Sequence, residues 1–217
     1  MRLTVLAAAA LALTLPVAAQ AGNFDGIYGG VQVGGAFTSF DQTVTSPVYN
    51  GGSLENNSLS ATGAVGGVFV GYGYVLPYNL FIAGEFDATF GDRDFSYTIT
   101  DPTNPYKTKL TTGTEWALSV RPGYIVSDTA LIYGLLGFER TPIKSSSSDS
   151  SEVTFDKTQT SFRLGGGAEI SISGPLTLRL DYTHTFIDKI MISDNFGNAT
   201  SISPSEDKFK AGIAYHF

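Results

Sequence analysis

Apolar and polar side chains alternate with a period of two along most of the chain beyond residue 25. Between residues 80 and 90, the even positions are apolar apart from one glycine, whereas Glu85 and Asp87 stand in the odd register. Successive side chains of a β-strand point to opposite faces of a sheet, so the pattern predicts strands with one apolar face. A helical interpretation is disfavoured, because these segments are rich in β-branched residues, aromatics and glycine and lack a period of about 3.6 residues.

The alternation predicts eight strands of about ten residues each, enough to close a sheet into a small barrel. One of them, 130–140 (ALIYGLLGFER), is apolar in both registers, so its faces are left unassigned. The predicted strands cover residues 27–39, 64–75, 80–90, 114–126, 130–140, 161–172, 176–186 and 207–217.

The connections between these strands alternate in length. Three are tight and contain the turn formers Pro, Gly, Asn or Asp, namely residues 76–79 (LPYN), 127–129 (SDT) and 173–175 (SGP). The others are long and hydrophilic, at about residues 41–60, 92–107, 141–157 and 187–205. In an up-and-down antiparallel sheet, this alternation gathers all tight turns at one end and all long loops at the other. Outer-membrane barrels have the same polarity, with short periplasmic turns and longer exterior loops.

Charged residues of the predicted strands collect in the polar register, while the apolar registers are expected to carry no charge. A strand face exposed to water would hold Lys, Glu and Asp, so the apolar register is predicted to face lipid and the charges the interior. Eight strands leave an interior that side chains can fill, so we expect opposite charges to pair and close the lumen. The predicted lumen ion network has five acids and five bases: Glu85, Asp87, Glu115, Glu169, Asp181, Arg121, Arg163, Arg179, Lys208 and Lys210.

The chain ends in an amphipathic strand, KFKAGIAYHF at residues 208–217. A sheet inside hydrocarbon cannot leave backbone groups unpaired, so the last strand is predicted to pair with the first. Aromatic residues are predicted to form two rings at the two membrane interfaces. The tight-turn ring has Tyr72, Tyr74, Tyr124, Tyr215 and Phe217, and the long-loop ring has Phe37, Phe90, Trp116, Phe162 and Phe186.

The first residues have the layout of a secretory signal peptide: Arg2, an apolar run over 3–17, and Ala19-Gln20-Ala21. We therefore predict two parts, a signal peptide at 1–21 and a β-barrel at 22–217. The 217 residues include no cysteine, which favours a large paired sheet over a disulfide-stapled fold. The net charge of −7 disfavours nucleic-acid binding.

Several segments together resemble the small outer-membrane β-barrel family that includes the OmpA transmembrane domain and the opacity-like porin family proteins of alphaproteobacteria. The segments are DGIYGGVQVGGAF (25–37), WALSVRPGYIV (116–126), LIYGLLGF (131–138), FRLGGGAEI (162–170), LTLRLDYTHT (176–185) and FKAGIAYHF (209–217). The resemblance implies an all-β fold, an eight-stranded antiparallel up-and-down transmembrane β-barrel, in the cell outer membrane. It also implies that the barrel-assembly machinery reads a terminal assembly signal: Phe209, Ala211, Ile213, Tyr215 and Phe217.

Catalytic, metal and cofactor sites are not predicted. The two histidines, His184 and His216, lack the serine spacing of a lipid A deacylase motif, so we place them in the outer aromatic belt and at the lumenal floor. Glu85 and Asp87 could form an acid/base pair or a metal site, but ion pairing with lumenal arginines is the favoured interpretation.

The predicted role is that of a structural, non-enzymatic membrane protein with a closed, ion-paired lumen and surface-exposed loops. Its expected partners are outer-membrane lipids and, during insertion, the assembly machinery. Two alternatives stay open: a narrow porin for small solutes, and an adhesin that binds a host or surface ligand through its loops. The oligomeric state is left unassigned.

Overall fold

The computed structural model describes residues 24–45, 53–91, 94–99, 106–147, 156–188, 190–193 and 199–217. Regular structure in these ranges is β-strand, apart from a three-residue 3-10 turn at Pro77–Asn79. No helix within them is long and apolar enough to cross a membrane. The proposed signal peptide at 1–21 lies outside the described residues, so this boundary stays a prediction.

Eleven strands are present in the described residues, and eight of them form the wall of a closed antiparallel barrel in the order β1-β2-β3-β6-β7-β8-β9-β11. This confirms the predicted fold, and each predicted segment falls in one wall strand. The strands are β1 Gly26–Thr45, β2 Ser53–Val75, β3 Leu80–Phe90, β4 Asp94–Ile99, β5 Tyr106–Thr112, β6 Glu115–Ser127, β7 Ala130–Ser147, β8 Asp156–Ser173, β9 Leu176–Phe186, β10 Ile190–Ser193 and β11 Ala199–His216.

The seam between β1 and β11 closes the barrel, as predicted. The two strands pair antiparallel from Tyr28 opposite His216 to Thr45 opposite Ala199. The backbone N–H of Phe217 donates to the carbonyl of Ile27 at 2.8 Å, which continues the pairing to the last residue. The wall therefore has no free edge inside the membrane, where an unpaired backbone group would cost several kcal/mol.

The tight turns lie where predicted, and each joins two neighbouring wall strands. In the β2–β3 turn, Tyr78 and Asn79 adopt positive φ angles of 66° and 61°. In the β8–β9 turn, Gly174 has a φ of +53°, a conformation that glycine adopts without steric cost. These turns occupy the same end of the barrel as Phe217.

The prediction of long loops is wrong over much of their length. Strands β1 and β2 stay paired as far as Thr45 and Ser53, and β7 and β8 pair as far as Lys144 and Asp156. A hairpin, β4–β5, occupies part of the predicted loop 92–107, and β10 pairs with β11 in the predicted loop 187–205. Outside the membrane a ladder needs no apolar face, so hydrophobic alternation fades before the strands end.

The polarity of the barrel is the reverse of that of a soluble protein. Outward side chains such as Val33 and Leu118 are 68% and 65% exposed, whereas inward Arg121 is fully buried. The structure also assigns strand β7, whose faces sequence left open: Leu131 and Glu139 point inward, and even-numbered residues point outward. The barrel interior therefore holds buried charged groups together with an apolar cluster that includes Phe24, Phe69, Phe81 and Leu131.

Candidate functional site

All ten residues of the predicted ion network lie inside the barrel, and none is more than 6% exposed. They stand on β3, β6, β8, β9 and β11, in the inward register of each strand. Because successive side chains alternate, lipid contact on the even face of β3 leaves Glu85 and Asp87 no alternative to the lumen.

Glu85 is the centre of the cluster nearer the tight-turn end. Its Oε2 accepts hydrogen bonds from Arg179 Nη1 at 2.6 Å, Arg121 Nη1 at 2.8 Å and the Tyr28 hydroxyl at 2.9 Å. Arg179 Nη2 donates to Oε1 at 2.8 Å, so this guanidinium binds the carboxylate with two nitrogens. Charge-assisted bidentate pairs of this kind are stronger than neutral hydrogen bonds and fix the geometry of both partners.

Further donors of the two arginines bind other acids, and their guanidinium groups lie against aromatic rings. Arg179 Nε donates to Asp181 at 2.6 Å, and Arg121 Nη2 donates to Glu169 at 3.1 Å. The Arg121 guanidinium also lies 3.8 Å from the centroid of the Tyr133 ring. Ring faces attract cations. Carboxylates therefore compensate the guanidinium charge in the plane of the group, and aromatic rings compensate it above that plane.

Lys208 is the centre of a second cluster, nearer the long-loop end. Its ammonium lies 2.6 Å from Glu115, 2.7 Å from Glu139 and 2.8 Å from Glu206. These three carboxylates lie within 4.8 Å of one another, a spacing that would suit a metal ion. The lysine ammonium already supplies the positive charge at their centre.

Arg163 and Lys210 complete this second cluster. Arg163 binds Asp87 through Nη1 and Nη2, and its Nε donates to the Ser119 hydroxyl at 3.0 Å. Its Nη1 also reaches Glu139 at 3.5 Å, which links it to the Lys208 cluster. Lys210 lies 3.8 Å from Asp87. The two inward carboxylates of β3 thus belong to different clusters, Glu85 to the first and Asp87 to the second.

The tight-turn end of the lumen is closed by His216 and Phe24. His216 Nε2 lies 2.7 Å from Glu169, and its ring stacks on Tyr28 with a centroid distance of 5.3 Å. Phe24 packs edge-on against His216 and is 2% exposed. The chain that precedes β1 therefore contributes an apolar floor beneath the Glu85 cluster.

Sequence reasoning missed two interior acids, Glu139 and Glu206. Glu139 lies on the strand whose faces were unassigned, and Glu206 stands just before the predicted start of the last strand. With them, the described interior has seven acids against five Lys and Arg residues, rather than the balance expected. The pairing of β6 with β7, in which Ala117 stands opposite Glu139, is the signal that assigns Glu139 to the inward face.

The expectation that the apolar registers carry no charge is wrong at Asp207. This residue lies in the outward register of β11, together with Phe209, Ala211 and Ile213 of the proposed assembly signal. Asp207 Oδ1 accepts from the Tyr182 hydroxyl at 2.7 Å and lies 2.8 Å from His184 Nδ1, and both partners also face outward. A polar group on this wall is stabilised by partners that lie on the wall itself.

The last residues of the proposed assembly signal, Tyr215 and Phe217, are half-buried at the tight-turn end. Their rings contact each other edge to face at a centroid distance of 4.9 Å. Their side chains thus lie at the membrane boundary. Recognition of these residues by an assembly machinery stays a prediction.

Outer-membrane proteins are among the known proteins that are similar to this chain. A family model described as outer membrane protein beta-barrel domain matches residues 5–217. The 31 kDa outer-membrane immunogenic protein of Brucella melitensis is 29% identical over 218 residues, which cover 93% of this chain and 88% of that protein. Among solved structures, Neisserial surface protein A is 16% identical, with a TM-score of 0.47 and coverage of 89% of this chain and 98% of that one. Ail of Yersinia pestis is 15% identical, with a TM-score of 0.43 and coverage of 88% and 99%.

Proposed function

Since the chain belongs to the outer membrane protein beta-barrel family and resides in the cell outer membrane, we propose that it is a structural, non-enzymatic barrel with a sealed lumen. In this role it strengthens the outer membrane and presents its strand extensions to the exterior. Its partners are membrane lipids and, during insertion, the assembly machinery that reads the terminal segment ending in Phe217.

The observation that carries the sealed lumen is a pair of ion bridges that cross the barrel. Strands β3 and β9 stand four positions apart in the ring of eight, so Glu85 and Arg179 join opposite walls. Strands β6 and β11 are opposite in the same way, and Glu115 and Lys208 join them at a second level. A solute that passed through would have to separate both buried pairs, which would leave their charges without partners in a poorly solvated interior.

Conductance across planar lipid bilayers tests this proposal. The purified barrel is expected to give no steady openings, because both bridges stay closed. The quadruple variant Glu85→Ala, Arg179→Ala, Glu115→Ala and Lys208→Ala removes both bridges without changing the net charge, and it is expected to conduct. Leu118→Ala, on the lipid face, is the control and should stay closed. Steady large openings of the unmodified protein would contradict the sealed lumen and favour the narrow porin.

Binding at the cell surface is the second candidate, and the strand extensions favour it. The β1–β2 pair extends to Thr45 and Ser53, well beyond the outward aromatic Phe37. Deleting residues 144–152, at the end of the β7–β8 pair, tests this candidate by cell adhesion. Adhesion is expected to fall while heat-modifiable gel mobility, which reports the folded barrel, stays unchanged. Unchanged adhesion would exclude a role of this extension.

A further inference from the structure

A groove runs along the lipid-facing wall formed by β1, β11, β9 and β8. Hydrogen-bonded partners on these strands form rows, and one row holds Val33, Ala211, Leu180 and Ala168. The next row towards the long-loop end holds Gly35, Phe209, Tyr182 and Gly166. Alanine and glycine leave a depression between the larger side chains. Its volume is about 530 Å³, within the range of roughly 300–1,000 Å³ found for ligand pockets.

The following row places polar groups at the outer end of this groove. It contains Asp207 and His184, which lie one row inside Phe186 and Phe162 of the outer aromatic ring. Their side chains are 33% and 28% exposed. Tyr182 joins the groove to this polar end, because its ring packs on Phe209 and its hydroxyl donates to Asp207.

A carboxylate on a lipid-facing strand is costly unless polar groups satisfy it. Both contacts that Asp207 makes within the described part of the chain use Oδ1, so Oδ2 is left as an acceptor for an external donor. His184 contacts Asp207 through Nδ1, which leaves Nε2 as a second polar atom of the same site. A hydroxyl-bearing head group matches this pair, because it supplies a donor to Oδ2 and an acceptor or donor to Nε2.

We propose that the groove is a binding site for one glycolipid of the outer leaflet. One acyl chain lies along Ala211 and Ala168, and sugar hydroxyls of the head group bind Asp207 and His184. The wall faces lipid because the protein resides in the outer membrane, and the order of groove and polar end along the wall is that of an amphiphile. A second copy docked here would remove the charged pair from interfacial water, a penalty that a hydroxylated head group avoids.

Native mass spectrometry of the full barrel, released from micelles to which lipid A is added, tests the site. The unmodified protein is expected to retain one lipid A molecule. Ala168→Leu with Ala211→Leu fills the groove and should lower the retained fraction about tenfold, through the loss of acyl-chain contacts. Val120→Leu, on the opposite wall, is the matched control and should leave retention unchanged.

A second variant separates head-group binding from packing. Asp207→Asn keeps the shape of the side chain and should lower lipid A retention about fivefold, while retention of phosphatidylethanolamine stays at its low level. Heat-modifiable mobility checks that each variant is folded. Equal retention by all variants would overturn the proposal. Preferential retention of phosphatidylethanolamine, or a dimer lost in the groove-filled variant, would also overturn it.

Discussion

Replacing Glu85 with glutamine should be among the most destabilising conservative changes in this barrel. The carboxylate accepts four hydrogen bonds, from Arg121, Arg179 and Tyr28, in a site that is 2% exposed. Glutamine offers one oxygen instead of two and turns an NH₂ group towards guanidinium donors. Loss of one partner from a buried ion pair costs about 3–5 kcal/mol, and we expect Glu85→Gln to lower the free energy of unfolding by that amount.

Urea unfolding of the barrel in lipid vesicles measures this loss, with the fluorescence of the single tryptophan, Trp116, as the probe. The Ile82→Leu change, on the lipid face of the same strand, is the control and should cost less than about 1.5 kcal/mol. A double-mutant cycle with Arg179→Gln should give a coupling energy of about 2 kcal/mol, as for groups in one network.

The reasoning would be refuted if Glu85→Gln unfolded within about 0.5 kcal/mol of the unmodified protein. Such a result would mean that water enters the lumen and solvates the arginines, since only a poorly solvated site makes an unpaired buried charge expensive. The sealed lumen would then lose its energetic basis as well.

Two further predictions concern the ends of the network and of the chain. Lys208→Met removes the central cation of Glu115, Glu139 and Glu206, and we expect the free energy of unfolding to fall by about 3–5 kcal/mol. Millimolar Ca²⁺ should restore part of this stability, and Mg²⁺ should restore less. Denaturation midpoints measured with and without chelator test both expectations. Deleting Phe217 should slow insertion by the assembly machinery while changing the stability of the folded barrel by less than about 1 kcal/mol; equal insertion rates in reconstituted vesicles would contradict the terminal-signal proposal.

The wall of the barrel was predictable from sequence because lipid imposes a strict requirement on every second residue. Once even positions of β3 must be apolar, Glu85 and Asp87 have only the lumen to occupy, and the same reasoning places Arg179 and Asp181 on β9. The order of the strands followed from the tight turns, and closure followed from the need to pair every backbone group.

Features that do not follow from the need for an apolar lipid-facing register were not predicted. Strand extensions such as the end of β1 at Thr45 pair in water, where no apolar register marks them. Glu139 was hidden on a strand that is apolar on both faces. Asp207 violates the lipid-facing pattern, and its compensation by Tyr182 and His184 depends on a register between β9 and β11 that sequence does not reveal.

The position of Lys208 and Lys210 on β11 has a consequence for biogenesis. Among the described residues, the other seven wall strands bring six interior acids and three arginines, and β11 adds Glu206 together with the two lysines, so the excess of acids falls from three to two when the final strand is added. Residues that meet across the lumen are also far apart in sequence, by 93 positions for Glu115 and Lys208. Lys208, which pairs with both Glu115 and Glu139, arrives together with the seam, so a polypeptide that ends before β11 would lack these ion pairs across the lumen.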